Sequence, residues 1–269
     1  MRRSIDELRT FYGEPTGALV RRLLASRLTE AWGTAANCDV LGLGYATPWL
    51  DRFSDARRVI AAMPGGQGAE HWMSGTRNRS VLVDDRHLPF ASGMFDRILI
   101  VHAIEEADDA QRLLVEAART LAPAGRMIIA TAARGGLWAR TEATPFGHGR
   151  PFSRRQLEVL VRGAGLEPAA WSQALYVPPW RPMLPFADGI EQAGRIAFPG
   201  TAGMILMEAS RRSLARPRPR GALVAIDPRP ALAPAPSGAR VEHPLQSRST
   251  EAALAQSAKP HYGGVPCTD

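Results

Sequence analysis

The sequence contains very few of the residues that crosslink proteins or hold structural metals. Only two of its 269 residues are cysteines, Cys38 and Cys267, and Lys259 is its single lysine. Two cysteines so far apart cannot supply the several disulfides of a small secreted domain, nor the ligand cluster of a structural zinc site. We therefore expect no metal site, and a reducing compartment, the cytoplasm.

Long hydrophobic runs are also missing. No stretch approaches the roughly 18 consecutive apolar residues that a transmembrane helix needs. The charged start Met1-Arg2-Arg3 leads into Ser4-Ile5-Asp6-Glu7 and not into the apolar segment of a signal peptide. We expect no membrane partner. The apolar fraction of 45% is nevertheless sufficient for one substantial α/β core.

The net charge of +7 is carried almost entirely by arginine. Proteins that bind nucleic acid usually concentrate their basic residues on one face of a folded domain. The single dense cluster here lies at the edge of the region with a folded composition, where a solvated linker is the simpler interpretation. Its members are Arg211, Arg212, Arg216, Arg218 and Arg220. We therefore do not expect nucleic acid as a partner.

The most informative stretch reads as a short strand, a loop and a longer strand. Val81–Val83 is an apolar run that stops at Asp84, and Phe95–Val101 is a second, almost continuously apolar run. Such runs are typical of strands buried on both faces of a parallel sheet. Asp84, the triplet Leu88-Pro89-Phe90 and the pair Phe95-Asp96 together resemble the motifs of class I S-adenosylmethionine-dependent methyltransferases of the small-molecule branch.

This resemblance implies an α/β fold: a Rossmann-like, seven-stranded methyltransferase sheet with helices on both faces. It implies one domain over residues 1–212, with helices in residues 4–32 as a cap and a core over residues 38–212. Residues 213–269 are rich in proline, alanine and arginine, which predicts a disordered tail. The implied activity is methyl transfer from S-adenosylmethionine to a small-molecule acceptor whose identity, like the oligomeric state, the sequence leaves open.

Several elements follow from local patterns. Capping boxes at Ser4 and Ser153 each predict a helix start. A further helix is expected from Asp108 or Asp109 to about Leu121. The patterns also predict seven strands in total, which are residues 40–43, 58–62, 81–83, 95–101, 126–131, 171–177 and 204–209.

The turn after the first strand should meet the cofactor through its backbone, since a glycine-containing turn lets a ligand approach N–H groups closely. The residues predicted to bind there are Gly42, Leu43, Gly44 and Tyr45. The family usually has an acidic residue followed by Gly-x-Gly-x-Gly at this point. In this chain Gly42 replaces the acid, and Ala46 and Pro48 replace the later glycines.

The other cofactor contacts implied by the resemblance come from the second, third and fourth strands. The second strand lacks the usual acidic residue for the ribose hydroxyls, and Gln67 is either a neutral substitute or part of a flexible glycine-rich turn. Asp84 is expected to hold the adenine amino group and Arg86 or His87 to flank the ring, with Asp85 also counted among the cofactor-binding residues. The alternative is a loop aspartate that caps its own backbone. His102, at the end of the fourth strand, is expected to contact the sulfonium group.

His102 is also the candidate catalytic residue, because a histidine titrates near neutrality and suits a general base. In-line methyl transfer, however, needs mainly the alignment of nucleophile, methyl carbon and sulfur. A histidine that only lines the pocket wall and makes one hydrogen bond is therefore the competing interpretation.

Residues 134–151 form a long segment with no helical or strand periodicity, and such loops inside compact domains are usually functional or disordered. Its aromatic content argues against disorder. We interpret it as a substrate lid, formed by Trp138, Arg140, His148 and Arg150. The alternative is an arginine-rich surface loop that is held in place by Trp138 and Phe146.

Two other functions remain open. A non-catalytic protein of the same fold, acting as a binding or regulatory partner, would explain the missing acidic residues. A nicotinamide-dependent oxidoreductase would use Gly42 and Gly44 as the start of a dinucleotide fingerprint. The sequence lacks both the third glycine of that fingerprint and the acidic residue about 20 positions later, so this alternative ranks last.

Overall fold

The computed structural model describes residues 3–211, apart from the side chain of Ser74. The predicted tail at residues 213–269 lies outside the described residues. Among the helices of the described part of the chain, none is long and apolar enough to cross a membrane.

Within residues 3–211 the helices and strands alternate after an initial helical pair. The α-helices are α1 (Ile5–Gly13), α2 (Pro15–Trp32), α3 (Thr47–Leu50), α4 (Ala110–Thr120), α5 (Arg154–Gly163) and α6 (Ala187–Ala197). The strands are β1 (Asp39–Gly44), β2 (Arg58–Pro64), β3 (Met73–Ser74), β4 (Arg77–Asn78), β5 (Ser80–Val83), β6 (Phe95–Val101), β7 (Leu121–Ala132), β8 (Leu166–Ala174) and β9 (Met204–Arg211).

Seven of these strands form one sheet in the order β5-β2-β1-β6-β7-β9-β8. The first five strands in this order, β5, β2, β1, β6 and β7, run parallel to one another. Strand β9 lies between β7 and β8 and is antiparallel to both. Strand order reverses between β1 and β6, where Gly44 pairs with Val101. The predicted fold class, a Rossmann-like seven-stranded methyltransferase sheet, is confirmed.

Strand β6 shows why the sheet needs helices on both faces. Leu99 and Val101 belong to the apolar core beneath α1 and α2, whereas Ile98 and Ile100 belong to the core beneath α4 and α5. All four side chains are buried. Since successive residues of a strand point to opposite faces, a continuous apolar run specifies a strand that is covered on both sides.

Two helices precede the first strand, as predicted. Ser4 begins α1 with a complete capping box, in which its side chain accepts from the Glu7 N–H and the Glu7 carboxylate accepts from the Ser4 N–H. The second helix starts at Pro15, a residue suited to a first helical turn. Helix α1 buries Ile5 and Leu8 against the end of the sheet at which the parallel strands have their carboxyl termini. This position places the helix over the region expected to bind a ligand.

The carboxyl-terminal third differs from the sequence prediction in two elements. Strand β8 spans Leu166–Ala174 and not the predicted residues 171–177: it begins five residues earlier, and it ends at Ala174 because Leu175 turns the chain with a φ of +65°. Helix α6 was not predicted, since it follows a proline-rich connection and only Ala187 and Gly194 along it are buried. The small β3–β4 hairpin was also missed, because strands of two residues carry no periodic signal.

Candidate functional site

The carboxyl ends of the parallel strands meet at one edge of the sheet. In doubly wound sheets, ligands bind beyond this edge and close to the point where strand order reverses. Here that point lies between β1, which leads into Tyr45, and β6, which leads into His102. Both side chains are buried.

Gly44 is required by the packing of the turn after β1. Its φ is +82°, and an added Cβ would lie 2.2 Å from the carbonyl oxygen of Val101. The next residue, Tyr45, donates its N–H to the same Val101 carbonyl at 2.9 Å. The turn is therefore bonded directly to the end of β6.

At Gly42, too, the space that a side chain would occupy is already filled. An added Cβ there would lie 2.7 Å from Leu50 and 2.8 Å from Ala46. The carboxylate that the resembled family usually has here would be pushed into apolar side chains, so glycine at this position has a packing reason. Leu43 is buried in the core beneath α4 and α5. Tyr45, the last of the four residues predicted for this turn, stacks its ring on Tyr12 of α1.

His102 is the centre of a buried cluster. It has a φ of +51°, an uncommon conformation for a residue other than glycine, and 3% of its surface is exposed. Its Nε2 lies 2.6 Å from the hydroxyl of Tyr12, and its ring centre lies 4.9 Å from that of Phe146. Burial lowers the pKa of His102 to about 3, so the ring is neutral at physiological pH.

Tyr12 brings helix α1 into this cluster. Its ring stacks on Tyr45 with 5.5 Å between the ring centres and meets Trp49 edge-on at 5.2 Å. Burial raises the pKa of the Tyr12 hydroxyl well above its usual value, so it stays protonated. Sequence reasoning missed this residue, although an aromatic side chain on the buried stripe of a helix that precedes the first strand was the available signal.

Gln67 is buried and spans from the end of β2 to the end of β6. The side-chain Nε2 of Gln67 donates to the backbone carbonyl of His102. The backbone carbonyl of Gln67 accepts from the Ile5 N–H at 2.8 Å. Its side-chain Oε1 is buried without a hydrogen-bond partner. These contacts favour a defined role at the edge of the sheet over a flexible turn.

A second region, beside this cluster, is open. Asp84, Asp85 and Arg86 line a surface cavity of about 420 Å³ together with Gly66 and Asp108. Asp84 follows β5 and accepts the Arg86 N–H at 2.8 Å, as a loop aspartate capping its own backbone does. Its side chain is nevertheless exposed and can accept further hydrogen bonds.

Glu105 was not predicted, although it lies only three residues after His102. It is 4% exposed, and its Oε1 accepts the N–H of Ala132 at 3.2 Å at the end of β7. Its Oε2 is buried and has no hydrogen-bond partner. Burial raises the pKa of the Glu105 carboxyl to about 7. The available signal was an acidic residue four positions after a strand that reads as fully buried.

The four predicted lid residues fall into different environments. Trp138 is buried and donates its Nε1–H to the carbonyl of Val177 at 2.7 Å, so it anchors the segment. His148 lies 2.7 Å from the carbonyl of Glu142 and contacts Arg3. Arg140 and Arg150 have exposed side chains.

The backbone of the segment is tied to the site as well. The N–H of Arg150 donates to the carbonyl of Glu105 at 2.8 Å. The ring of Phe146, which belongs to the same segment, packs on His102. The segment therefore borders the His102 cluster on the β7 side, whereas Asp84 and Arg86 border it on the β5 side.

Among the described residues, no group of three or more histidine, cysteine, aspartate or glutamate side chains is placed to hold a metal ion.

Comparison with known proteins agrees with this geometry. Residues 39–129 match the family described as "Methyltransferase domain". Methyltransferase GfsG of Streptomyces halstedii is 30% identical over 166 residues, which are 54% of this chain and 58% of that protein. The chain thus spans less than two thirds of this relative.

Two solved structures share the fold. Geranyl diphosphate C-methyltransferase from Streptomyces coelicolor superposes with a TM-score of 0.51 at 18% identity, covering 70% of this chain and 77% of that one. A SAM-dependent methyltransferase from Archaeoglobus fulgidus superposes with a TM-score of 0.52 at 15% identity, covering 71% and 94%.

Proposed function

We propose that the protein transfers a methyl group from S-adenosylmethionine to a small-molecule acceptor, because residues 39–129 match a methyltransferase domain and the sheet has a doubly wound strand order. One observation carries this proposal. The acidic cavity reaches from Asp84, which follows β5, to Asp108 in the loop after β6, so it lies at the same end of the parallel strands as the point where strand order reverses, and a doubly wound sheet takes a nucleotide at that end.

The adenosyl half of the cofactor fits the open cavity. The exposed carboxylate of Asp84 can accept hydrogen bonds from the adenine amino group, and Arg86 can lie against the ring. A hydrogen bond to a charged group is worth about 1.5–3 kcal/mol. Asp84 therefore supplies a large part of the affinity in this proposal.

The region that would bind the amino-acid half of the cofactor is covered by side chains of the protein. Tyr12 and Gln67 lie over the ends of β1 and β6, where this half would bind. Helix α1 must therefore move before the whole cofactor can enter. Once it has moved, the unpaired Oε1 of Gln67 offers the neutral acceptor that replaces the missing acidic residue.

When bound, the cofactor supplies an electrophilic methyl group, and the chain has to align the acceptor with it. His102 is a weak base in this environment, because burial lowers its pKa to about 3. We therefore assign His102 to the wall of the site, where its ring and backbone carbonyl hold Tyr12 and Gln67 in place.

The acceptor is expected to approach from the side of residues 134–151. Arg140 and Arg150 expose their side chains in this segment, which favours an acceptor with a negatively charged group.

The scarcity of cysteine supports our further proposal that the protein works in the cytoplasm.

Production of S-adenosylhomocysteine tests the activity directly. We expect the full chain to form it from S-adenosylmethionine when a small-molecule cell extract is added, and not in buffer alone. Asp84→Ala should abolish this difference. Binding of S-adenosylmethionine without turnover in extracts from several sources would favour the non-catalytic alternative.

A further inference from the structure

Glu105 carries an oxygen atom that the folded chain leaves unpaired. The side chain is 4% exposed, and Oε1 is fixed by the N–H of Ala132, whereas Oε2 is buried without a hydrogen-bond partner. Leaving a buried polar atom unpaired is costly, and most such atoms in native proteins are paired. A buried carboxyl that is anchored on one side and unpaired on the other therefore points to a ligand.

The position of Glu105 indicates which ligand. The residue lies just beyond β6 and is bonded to β7, so it stands at the carboxyl edge between these two strands. Its carbonyl accepts the N–H of Arg150, and an added Cβ on Gly149 would lie 2.6 Å from the same carbonyl. Glu105 is therefore packed directly against the segment that borders the acceptor side.

Four other polar groups face this carboxyl. Tyr12 from α1 lies close enough for its ionisation to be disfavoured by Glu105, and Glu106 is the neighbouring acidic group in the same loop. Thr131 and Ala132 face it from β7. The hydroxyl of Thr131 is near enough to lower the pKa of the carboxyl, although it makes no hydrogen bond of full geometry with any partner. None of these four groups is a cation.

We propose that Glu105 is the catalytic residue that receives the acceptor's reacting group, through Oε2. The acceptor would be an alcohol, phenol or amine that loses one proton on methylation. Its oxygen or nitrogen forms a bond to the methyl carbon while the carbon–sulfur bond breaks and its electron pair stays on sulfur. The proton released by the acceptor passes to Oε2 of Glu105. This inference rests on the proposed function.

Two cofactor analogues test the position of Glu105 without knowledge of the acceptor. S-adenosylhomocysteine has no charge at the site of methyl transfer, whereas sinefungin places an ammonium group there. An ionised Glu105 at that site should favour sinefungin by about tenfold or more, as expected for a charge-assisted contact. Calorimetry at pH 8 should show this preference for the full chain.

Glu105→Gln should abolish the preference while changing the affinity for S-adenosylhomocysteine by less than about threefold, since the amide can still accept from Ala132. Glu142→Gln, which changes an exposed carboxylate of the neighbouring segment, should retain the preference. If Glu105→Gln does not fold, the wild-type preference should still decline between pH 8 and pH 5.

The outcomes separate the two proposals. Failure of both analogues to bind would overturn the proposed function and, with it, this inference. Binding of both analogues with equal affinity at pH 8, or a preference that survives in Glu105→Gln, would overturn the assignment of Glu105 alone.

Discussion

The hydroxyl of Tyr12 lies 2.6 Å from Nε2 of His102, across 90 residues of sequence. This contact joins the helix that precedes the first strand to the end of the fourth parallel strand. Together with the bond from Gln67 to the carbonyl of His102, it closes the edge of the sheet where strand order reverses. Helix α1 thus covers the part of the site that we assign to the amino-acid half of the cofactor.

Tyr12→Phe should weaken this cover. The substitution removes one hydrogen bond and leaves Nε2 of His102 buried and unpaired, which should lower the free energy of unfolding by about 1–3 kcal/mol. Because displacement of α1 then costs less, the affinity for S-adenosylhomocysteine should rise, by up to about tenfold. Calorimetric titration and urea unfolding measure the two effects.

Adenosine provides a matched control ligand, because the cavity beside Asp84 is open with α1 in place. Its affinity should be the same in the wild type and in Tyr12→Phe. Thr10→Ala, on the exposed side of α1, should alter neither ligand. A loss of S-adenosylhomocysteine affinity in Tyr12→Phe would show instead that Tyr12 is part of the binding surface.

The pH dependence of stability should reveal two opposing buried groups. Burial raises the pKa of Glu105 from 4.5 to about 7, so its contribution to stability is full below pH 4.5 and is lost as the pH rises through 7. Burial lowers the pKa of His102 from 6.5 to about 3, so its contribution is full above pH 6.5 and is lost as the pH falls. Each effect amounts to about 3 kcal/mol or more.

Between pH 4.5 and 6.5 the two trends should largely cancel in the wild type. Urea unfolding of Glu105→Gln should show stability rising with pH across this window, relative to the wild type. His102→Asn, a replacement that tolerates the positive φ, should show the opposite slope. The same pH profile in all three proteins would mean that neither group titrates with a shifted pKa.

Gly44 should tolerate no side chain. In Gly44→Ala the new Cβ would meet the Val101 carbonyl at 2.2 Å, and the φ of +82° is unfavourable for alanine. We expect a loss of more than about 3 kcal/mol of stability. Gly68→Ala has a similar φ of +88° with no atom within 4 Å, and should lose only about 1–2 kcal/mol. Equal losses of stability in Gly44→Ala and Gly68→Ala would show that the turn after β1 can shift to accommodate the added Cβ.

Arg140 and Arg150 should act on the acceptor and not on the cofactor. Replacing either by alanine should leave the affinity for S-adenosylhomocysteine nearly unchanged and should lower turnover with the acceptor found in the active extract. The exposed Arg155 on α5 provides a control position. A parallel loss of affinity and turnover would assign these arginines to the cofactor.

The sheet could be read from the sequence, whereas the cover of the site could not. The apolar run Phe95–Val101 specifies a doubly buried strand because burial of successive residues is a local property. The contact between Tyr12 and His102 depends on how α1 docks on the sheet, which no local pattern encodes. The buried state of Gln67 was missed for the same reason, since its glycine-rich neighbourhood suggested a flexible turn.

The departure at Gly42 also became intelligible only in three dimensions. From the sequence, glycine in place of an acidic residue indicated a lost cofactor contact. In the structure, Leu50 and Ala46 fill the space that such a side chain would need. Asp84 directly follows β5, as the motif predicts, and its binding of adenine stays a prediction.

Calorimetric titration of the full chain with S-adenosylhomocysteine, repeated with Asp84→Ala, tests the central claim most directly. Two carboxylates usual in the family are missing, and a loss of about 1–2 kcal/mol for each moves a micromolar site to a dissociation constant of about 0.03–1 mM. We expect binding in this range, weakened at least about tenfold by Asp84→Ala. No binding heat up to several millimolar, with no difference between the two proteins, would contradict the account.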